Sequence, residues 1–325
     1  MESSAAVRAR GLGKQFAPGA GVEGIDLDIE PGTIFGFIGP SGSGKTTTIR
    51  LLTGVTAPDT GEVTVMGKSP AAFSREDRAR IGYMPQLSVL YDQLTIWQNM
   101  TFAASIFGMP RGRRRRRIVE ELEAVELTEA THRKLGKASG GMQRRVALAA
   151  TLVHDPELLF LDEPTAGIDP LLRRKIWDRL ESLRDQGRTI FVTTQYVGEA
   201  AHCDRVGVLA EGRLVAVDTP DGLRKLAYGG EVLDVVFTAP IGADRRDQLV
   251  AACQAIRIEN VGTTGVRLIV VDAGEASPAV VDWATAADLT IQSIEPYLPP
   301  FDDVFVEIVT RVASDEQPEP VGVAG

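Results

Sequence analysis

Thr33-Ile34-Phe35-Gly36-Phe37-Ile38-Gly39-Pro40-Ser41-Gly42-Ser43-Gly44-Lys45-Thr46-Thr47 is the stretch that decides the fold. Thr33 to Ile38 is a short apolar run, and a helical pattern follows from Thr46 to Leu52. A strand that enters a glycine-rich turn and leaves as a helix is a building unit of an α/β sheet. The turn, Gly39 to Thr46, satisfies the spacing G-x-x-x-x-G-K-[ST] of a phosphate loop in the context that spacing requires. Glycines let successive backbone N–H groups curl around phosphate oxygens, the helix N-terminus adds positive potential, and a lysine reaches the outer phosphates. Gly39, Pro40, Ser41, Gly42, Ser43 and Gly44 therefore read as the cradle, with Thr47 at its helical end. Lys45 takes the outer phosphates and Thr46 is a candidate Mg²⁺ ligand.

Outward from this unit, Ile25-Asp26-Leu27-Asp28-Ile29 alternates as a half-exposed strand before the loop, and IGYMP at 81–85 is strand-like after it. Helical signal dominates from Leu87 to about Val153, as a helical insert in the α/β core. The core resumes at Leu158-Leu159-Phe160-Leu161-Asp162-Glu163, a buried strand that delivers two carboxylates at its C-terminal end. Successive strand residues point opposite ways, so the pair can divide the work. Asp162 is expected to face the metal, directly or through water, and Glu163 to polarise the attacking water as general base. A helix from Arg173 to Arg184, a strand from Thr189 to Thr193 and a hairpin centred on Glu211-Gly212 complete this part.

Ala138-Ser139-Gly140-Gly141-Met142-Gln143-Arg144 leads directly into a helix at Val146 to Val153. Ser139 reads as a helix N-cap whose hydroxyl and following glycine amides offer a second anion site. With the phosphate loop and the carboxylate pair in order, the chain resembles the ABC ATPase family, whose signature is commonly Leu-Ser-Gly-Gly-Gln. Here Ser-Gly-Gly is kept, with Ala138 and Met142 at its flanks. The resemblance runs over essentially the whole chain and separates it from nucleotide kinases and small GTPases, which share only the phosphate loop.

That resemblance implies ATP and Mg²⁺ as cofactors and an α/β P-loop NTPase cassette: a RecA-like core with an antiparallel β-subdomain and a helical subdomain. It places Phe16 where an aromatic stacks on adenine, although an aromatic beside a strand can equally be core. Gln86 matches the Q-loop, which contacts metal and nucleophilic water, and Asp169 matches the D-loop, which crosses between subunits. Ser139, Gly140, Gly141 and Met142 would hold the nucleotide of a second, head-to-tail copy of the cassette. Gln195 stands where the family commonly has a γ-phosphate-contacting histidine. Glutamine can donate a hydrogen bond there but carries no proton or charge. His202, seven residues on, is expected on a helix surface. Thr193-Thr194-Gln195-Tyr196 with Glu199-Ala200, and Pro300-Phe301-Asp302-Asp303-Val304-Phe305, are similar to daunorubicin-resistance-like exporters. The subfamily implies export of a drug, antibiotic or lipid-like compound through a separate multi-spanning permease, with the cassette peripheral on the cytoplasmic face of the membrane.

Beyond Gly229-Gly230 the pattern becomes strand (Leu233 to Phe237), helix (Arg245 to Ala255), hairpin (Gly262, Gly265), helix (Pro278 to Ala287), strand (Thr290 to Glu295) and helix (Phe301 to Val312). That order suits a small ferredoxin-like α+β domain. The division expected is a cassette over 1–228 with its helical subdomain at about 87–153, an accessory domain over 229–312, and an acidic, proline-rich disordered tail at 313–325.

A length of 325 residues suits two domains. The formal net charge of −9 gives no reason to expect nucleic acid as a partner. A non-transport ABC ATPase acting on ribosomes or nucleic acid is the alternative. It is disfavoured by a single cassette without long coiled-coil arms or zinc-binding cysteines. Cys203 and Cys253 are far apart without C-x-x-C spacing, fit a reducing cytosol and read as buried thiols. No signal-peptide core or 18-residue apolar span is visible. The run Arg111, Arg113, Arg114, Arg115, Arg116, Arg117 reads as a solvated helix face partly paired with Glu120, Glu121 and Glu123, with lipid or permease contact as its alternative.

Overall fold

The computed structural model describes residues 5–87 and 89–315, which form two compact units dividing at Val217/Asp218. The first opens with a three-stranded antiparallel sheet made by β1 (Val7–Ala17), β2 (Ala20–Ile29) and β4 (Thr60–Val65), in the order β2-β1-β4. Between β2 and β4 lie β3 (Ile34–Ile38) and α1 (Lys45–Leu52). After them come α2 (Arg75–Ala79), β5 (Ile81–Met84), and three helices, α3 (Ile96–Ile106), α4 (Arg111–Ala124) and α5 (Gly140–Leu152). β6 (Leu158–Asp162), α6 (Pro170–Asp185), β7 (Thr189–Thr194), β8 (Arg205–Ala210) and β9 (Arg213–Asp218) complete the unit's elements.

The main sheet runs β5-β6-β7-β3-β8-β9, and the pairs from β5 to β8 are parallel. Its middle strands β3, β6 and β7 are buried at every position. A parallel sheet covered on both faces selects such continuous apolar runs. Phe35 stacks on Phe191 at 5.8 Å, with Phe37 at 5.4 Å and Phe160 at 5.9 Å from the same ring. Each ring so buried contributes about 1.5–3 kcal/mol through the apolar area withdrawn from water. The turn into β9 places Glu211 and Gly212 at φ 48° and 80°, the left-handed pair of a tight hairpin. Phosphate-loop, Q-loop and carboxylate segments all leave the C-terminal ends of β3, β5 and β6, where ligands bind in open α/β sheets.

The arginine run lies on α4. Arg116 pairs with Glu120 at 3.3 Å and Arg117 with Glu121 at 2.6 Å, both at helical i,i+4 spacing. Glu121 is fully buried and also takes Arg179 of α6 at 3.2 Å.

The second unit comprises α7 (Pro220–Tyr228), β10 (Glu231–Phe237), α8 (Ala243–Cys253), β11 (Arg257–Val261), β12 (Gly265–Val270), α9 (Ala273–Ala286), β13 (Ile291–Pro296) and α10 (Phe301–Asp315). Its sheet is antiparallel in the order β11-β12-β10-β13. α7 groups here and not with the cassette, because Arg224 lies 4.4 Å over the Phe301 ring and Lys225 pairs with Glu231 at 2.6 Å. α9 begins five residues before the expected Pro278, since Asp272 caps it by accepting from the amides of Gly274 and Glu275. α10 carries residues 313–315 of the expected tail as helix, there being no proline before Pro318 to end it. Residues 316–325 lie outside the described residues. Both cysteines are buried and free, and no described helix is long and apolar enough to cross a membrane.

Candidate nucleotide-hydrolysing site

Gly39 turns the chain out of β3 so closely that a Cβ there would meet the Leu209 carbonyl at 2.3 Å. Gly44 N-caps α1 at φ 107°, a conformation that L side chains rarely adopt. Lys45, 5% exposed, returns over the loop and donates to the carbonyls of Gly39 at 2.7 Å and Pro40 at 3.0 Å. Burial holds its ammonium below the usual lysine value, against the opposing pull of Glu163, 3.8 Å away, and of Asp162. The loop thereby holds a desolvated cation between its own carbonyls and Glu163.

Asp162 is fully buried, and both its oxygens are engaged. Thr46 Oγ1 donates to Oδ2 at 2.8 Å and Thr193 Oγ1 to Oδ1 at 2.5 Å. Glu163 adopts φ 53°, left-handed for a residue with a Cβ, which costs on the order of 1–3 kcal/mol and persists only where the surroundings enforce it. Its amide donates to the Thr193 carbonyl at 3.0 Å and to Thr193 Oγ1 at 3.1 Å. Gln86 Nε2 donates to Glu163 Oε2 at 3.2 Å. The backbone twist thus sends the two adjacent carboxylates to different partners.

One cleft is lined by Phe16, Ser41, Gly42, Gly44, Lys45, Thr46, Thr47, Gln86 and Glu163. Phe16 is 60% exposed, which removes the core alternative, and Lys14 Nζ lies 6.0 Å over its ring. Ser43 is buried under the loop. Gln195 is exposed directly after β7, beside Thr194. Ser139, Gly140, Gly141 and Met142 do not join this cleft. Ser139 N-caps α5 by accepting from the Met142 amide at 3.3 Å, and Met142 lines a separate hollow with Arg133 and Arg145. Asp169 caps α6 through the Leu172 amide at 3.0 Å, and Gly167 of the same loop approaches Gly141. His202 stacks on Trp177 and donates to Glu181 at 2.8 Å, as a helix-surface residue.

Three residues escaped the sequence reading. Thr193 anchors both carboxylate residues. Arg144 reaches from α5 to backbone carbonyls around the site. Glu199, 5% exposed, accepts from Thr165 at 2.7 Å and Thr194 at 2.6 Å, tying the segment after Glu163 to the end of β7. All three sit inside segments quoted for the resemblance, but local sequence gives no signal for their long-range partners.

Residues 22–166 match the family described as ABC transporter. The chain is 37% identical over 305 residues to the daunorubicin resistance ATP-binding protein DrrA2 of Streptomyces coeruleorubidus, covering 93% of this chain and 94% of that one. This chain belongs to the ATP-binding proteins of ABC transporters. The chain is also 34% identical over 303 residues to the Nod factor export ATP-binding protein I of Paraburkholderia xenovorans, covering 93% of this chain and 96% of that one. Among solved structures, it is similar to a dimeric ATP-binding cassette in a post-hydrolysis state bound to ADP and Pi, at TM-score 0.61 and 27% identity. The match covers 66% of this chain and 98% of that one. The chain therefore carries the ABC ATPase cassette fold.

Proposed function

We propose that this cassette is the ATP-hydrolysing subunit of an ABC exporter, powering export of a drug, antibiotic or lipid-like compound through a separate membrane permease. The observation that carries the proposal is the convergence of Phe16, the phosphate loop, Gln86 and Glu163 on one cleft. In it, Phe16 stacks on adenine, the loop amides and Lys45 hold the phosphates, and Gln86 orients the attacking water. Glu163 then takes that water's proton. Gln195 donates a hydrogen bond to the γ-phosphate without supplying a proton.

Mg²⁺ fits the donors: the Thr46 hydroxyl, the Asp162 carboxylate and the Gln86 amide oxygen are hard oxygen groups, as this ion requires. When bound, the ion neutralises charge on the phosphates.

Because the Ser139 segment lies outside the cleft, the reading supplies it from a second copy arranged head to tail, with ATP between the two. Relatives named for daunorubicin resistance and Nod factor export support the exporter reading. The βαββαβ order and the sheet order β11-β12-β10-β13 support a ferredoxin-like reading of the second unit; an experimental structure with another strand order would overturn it.

Glu163→Gln tests the chemistry. The variant is expected to bind ATP with affinity near the wild type, to lose roughly 100-fold or more of its hydrolysis rate, and to accumulate as an ATP-bound dimer. Hydrolysis at the wild-type rate would refute Glu163 as the base.

A further inference from the structure

We propose that Arg144 is a positioning residue, which holds Glu163 and Gln86 in register with the helix that bears the Ser139-Gly140-Gly141 segment. Its five hydrogen bonds all end on backbone carbonyls. Nε donates to Glu163 O at 3.0 Å; one terminal nitrogen donates to Pro85 O at 3.4 Å and to Gln86 O; the other donates to the carbonyls of Asp162 and Glu163. One guanidinium therefore joins three separate pieces of chain: α5, the end of β5 and the end of β6.

The Glu163 carbonyl is where such a clamp is needed. In the left-handed conformation that carbonyl leaves the strand ladder, and its acceptors are served by the Ala166 amide at 3.1 Å and by Arg144. Thr193 fixes the same residue from its amide side. Held at both ends, Glu163 keeps its carboxylate toward Gln86 and the phosphate loop. The fork of Arg144 is planar and permanently charged, so its bonds are directional, and its charge faces Asp162 and Glu163, which oppose the larger penalty of burial. A displacement of α5 must then be felt at Gln86 and Glu163 together.

The inference rests on the reading of Glu163 as the base, and the test separates the two. Steady-state ATP hydrolysis by the purified full-length chain, and equilibrium binding of a fluorescent ATP analogue, are measured for wild type, Arg144→Gln, Arg144→Lys and Arg145→Gln. Arg145 is the control, since its bonds run to the carbonyls of Val125 and Glu126, away from the cleft. Arg144→Gln is expected to lower kcat by roughly 100-fold, the effect of about 1 Å of misplacement, with nucleotide affinity within about threefold of wild type. Arg144→Lys keeps the charge but has three donors without the fork; it is expected to lose about tenfold in kcat, and it carries the test if Arg144→Gln does not fold. Wild-type kcat in Arg144→Lys, or a loss in Arg144→Gln matched by the Arg145→Gln control or by an equal loss of nucleotide affinity, overturns the assignment. A wild-type chain that neither binds nor hydrolyses ATP would instead refute the reading of the cleft.

Discussion

At the residue scale the chemistry turns on which side chains are held where water cannot screen them. Lys45 is desolvated and bonded to the carbonyls of its own loop, so it can exchange those acceptors for phosphate oxygens with little reorganisation. Charged hydrogen bonds of this kind contribute about 1.5–3 kcal/mol. Lys45→Ala is accordingly expected to weaken ATP binding by at least about tenfold in equilibrium titration; unchanged affinity would contradict its role. The loop and the Asp162-Glu163 pair could be read directly from the sequence because both consist of contiguous residues whose types carry the chemistry. Thr193, Arg144 and Glu199 could not, because what they do depends on partners 18 to 34 residues or more away in most cases. Phe16 needed the structure for another reason: only its exposure separates a stacking ring from a core ring.

At the element scale, legibility follows regularity. β3, β6 and β7 are short, fully buried strands with apolar centres between clear turn signals, and the structure has them within a residue of where the sequence places them. β1 was not visible. Register shifts between Ala9 and Leu12 and between Leu12 and Lys14, with Gly11 at φ 55°, break the period-2 alternation that marks a strand. The end of α5 shows how the helical region is fastened to the sheet. His154 stacks on Phe107 at 3.7 Å and donates from Nε2 to the Ile81 carbonyl of β5 at 3.1 Å. Burial holds its pKa below the ordinary 6.5, against the opposing influence of the Ile81 carbonyl and Asp155, and its Nδ1 has no acceptor for a second proton. The unfolded chain therefore binds this proton more readily than the folded one. The resulting stability is fully present above about pH 6.5 and is lost as pH falls through the depressed folded value. Urea midpoints at pH 7.5 and 5.5 should fall more for the wild type than for His154→Gln; equal falls would contradict this.

At the scale of the whole molecule, the cassette gathers Phe16, the phosphate loop, Gln86 and Glu163 on one cleft, and no described helix is long and apolar enough to cross a bilayer. Its Ser139 segment also stands apart from its own cleft. The proposed function is accordingly one of assembly: a second cassette to complete the nucleotide site and a membrane protein to receive the motion. The exported compound is not encoded in this chain under that reading, since its contacts belong to the permease. The most direct test is recovery of the tagged full-length chain from mildly solubilised membranes, with identification of whatever accompanies it in stoichiometric amount. The account predicts a multi-spanning membrane protein. Ribosomes or nucleic acid without any membrane protein would leave the ATPase chemistry standing and contradict its assignment to transport.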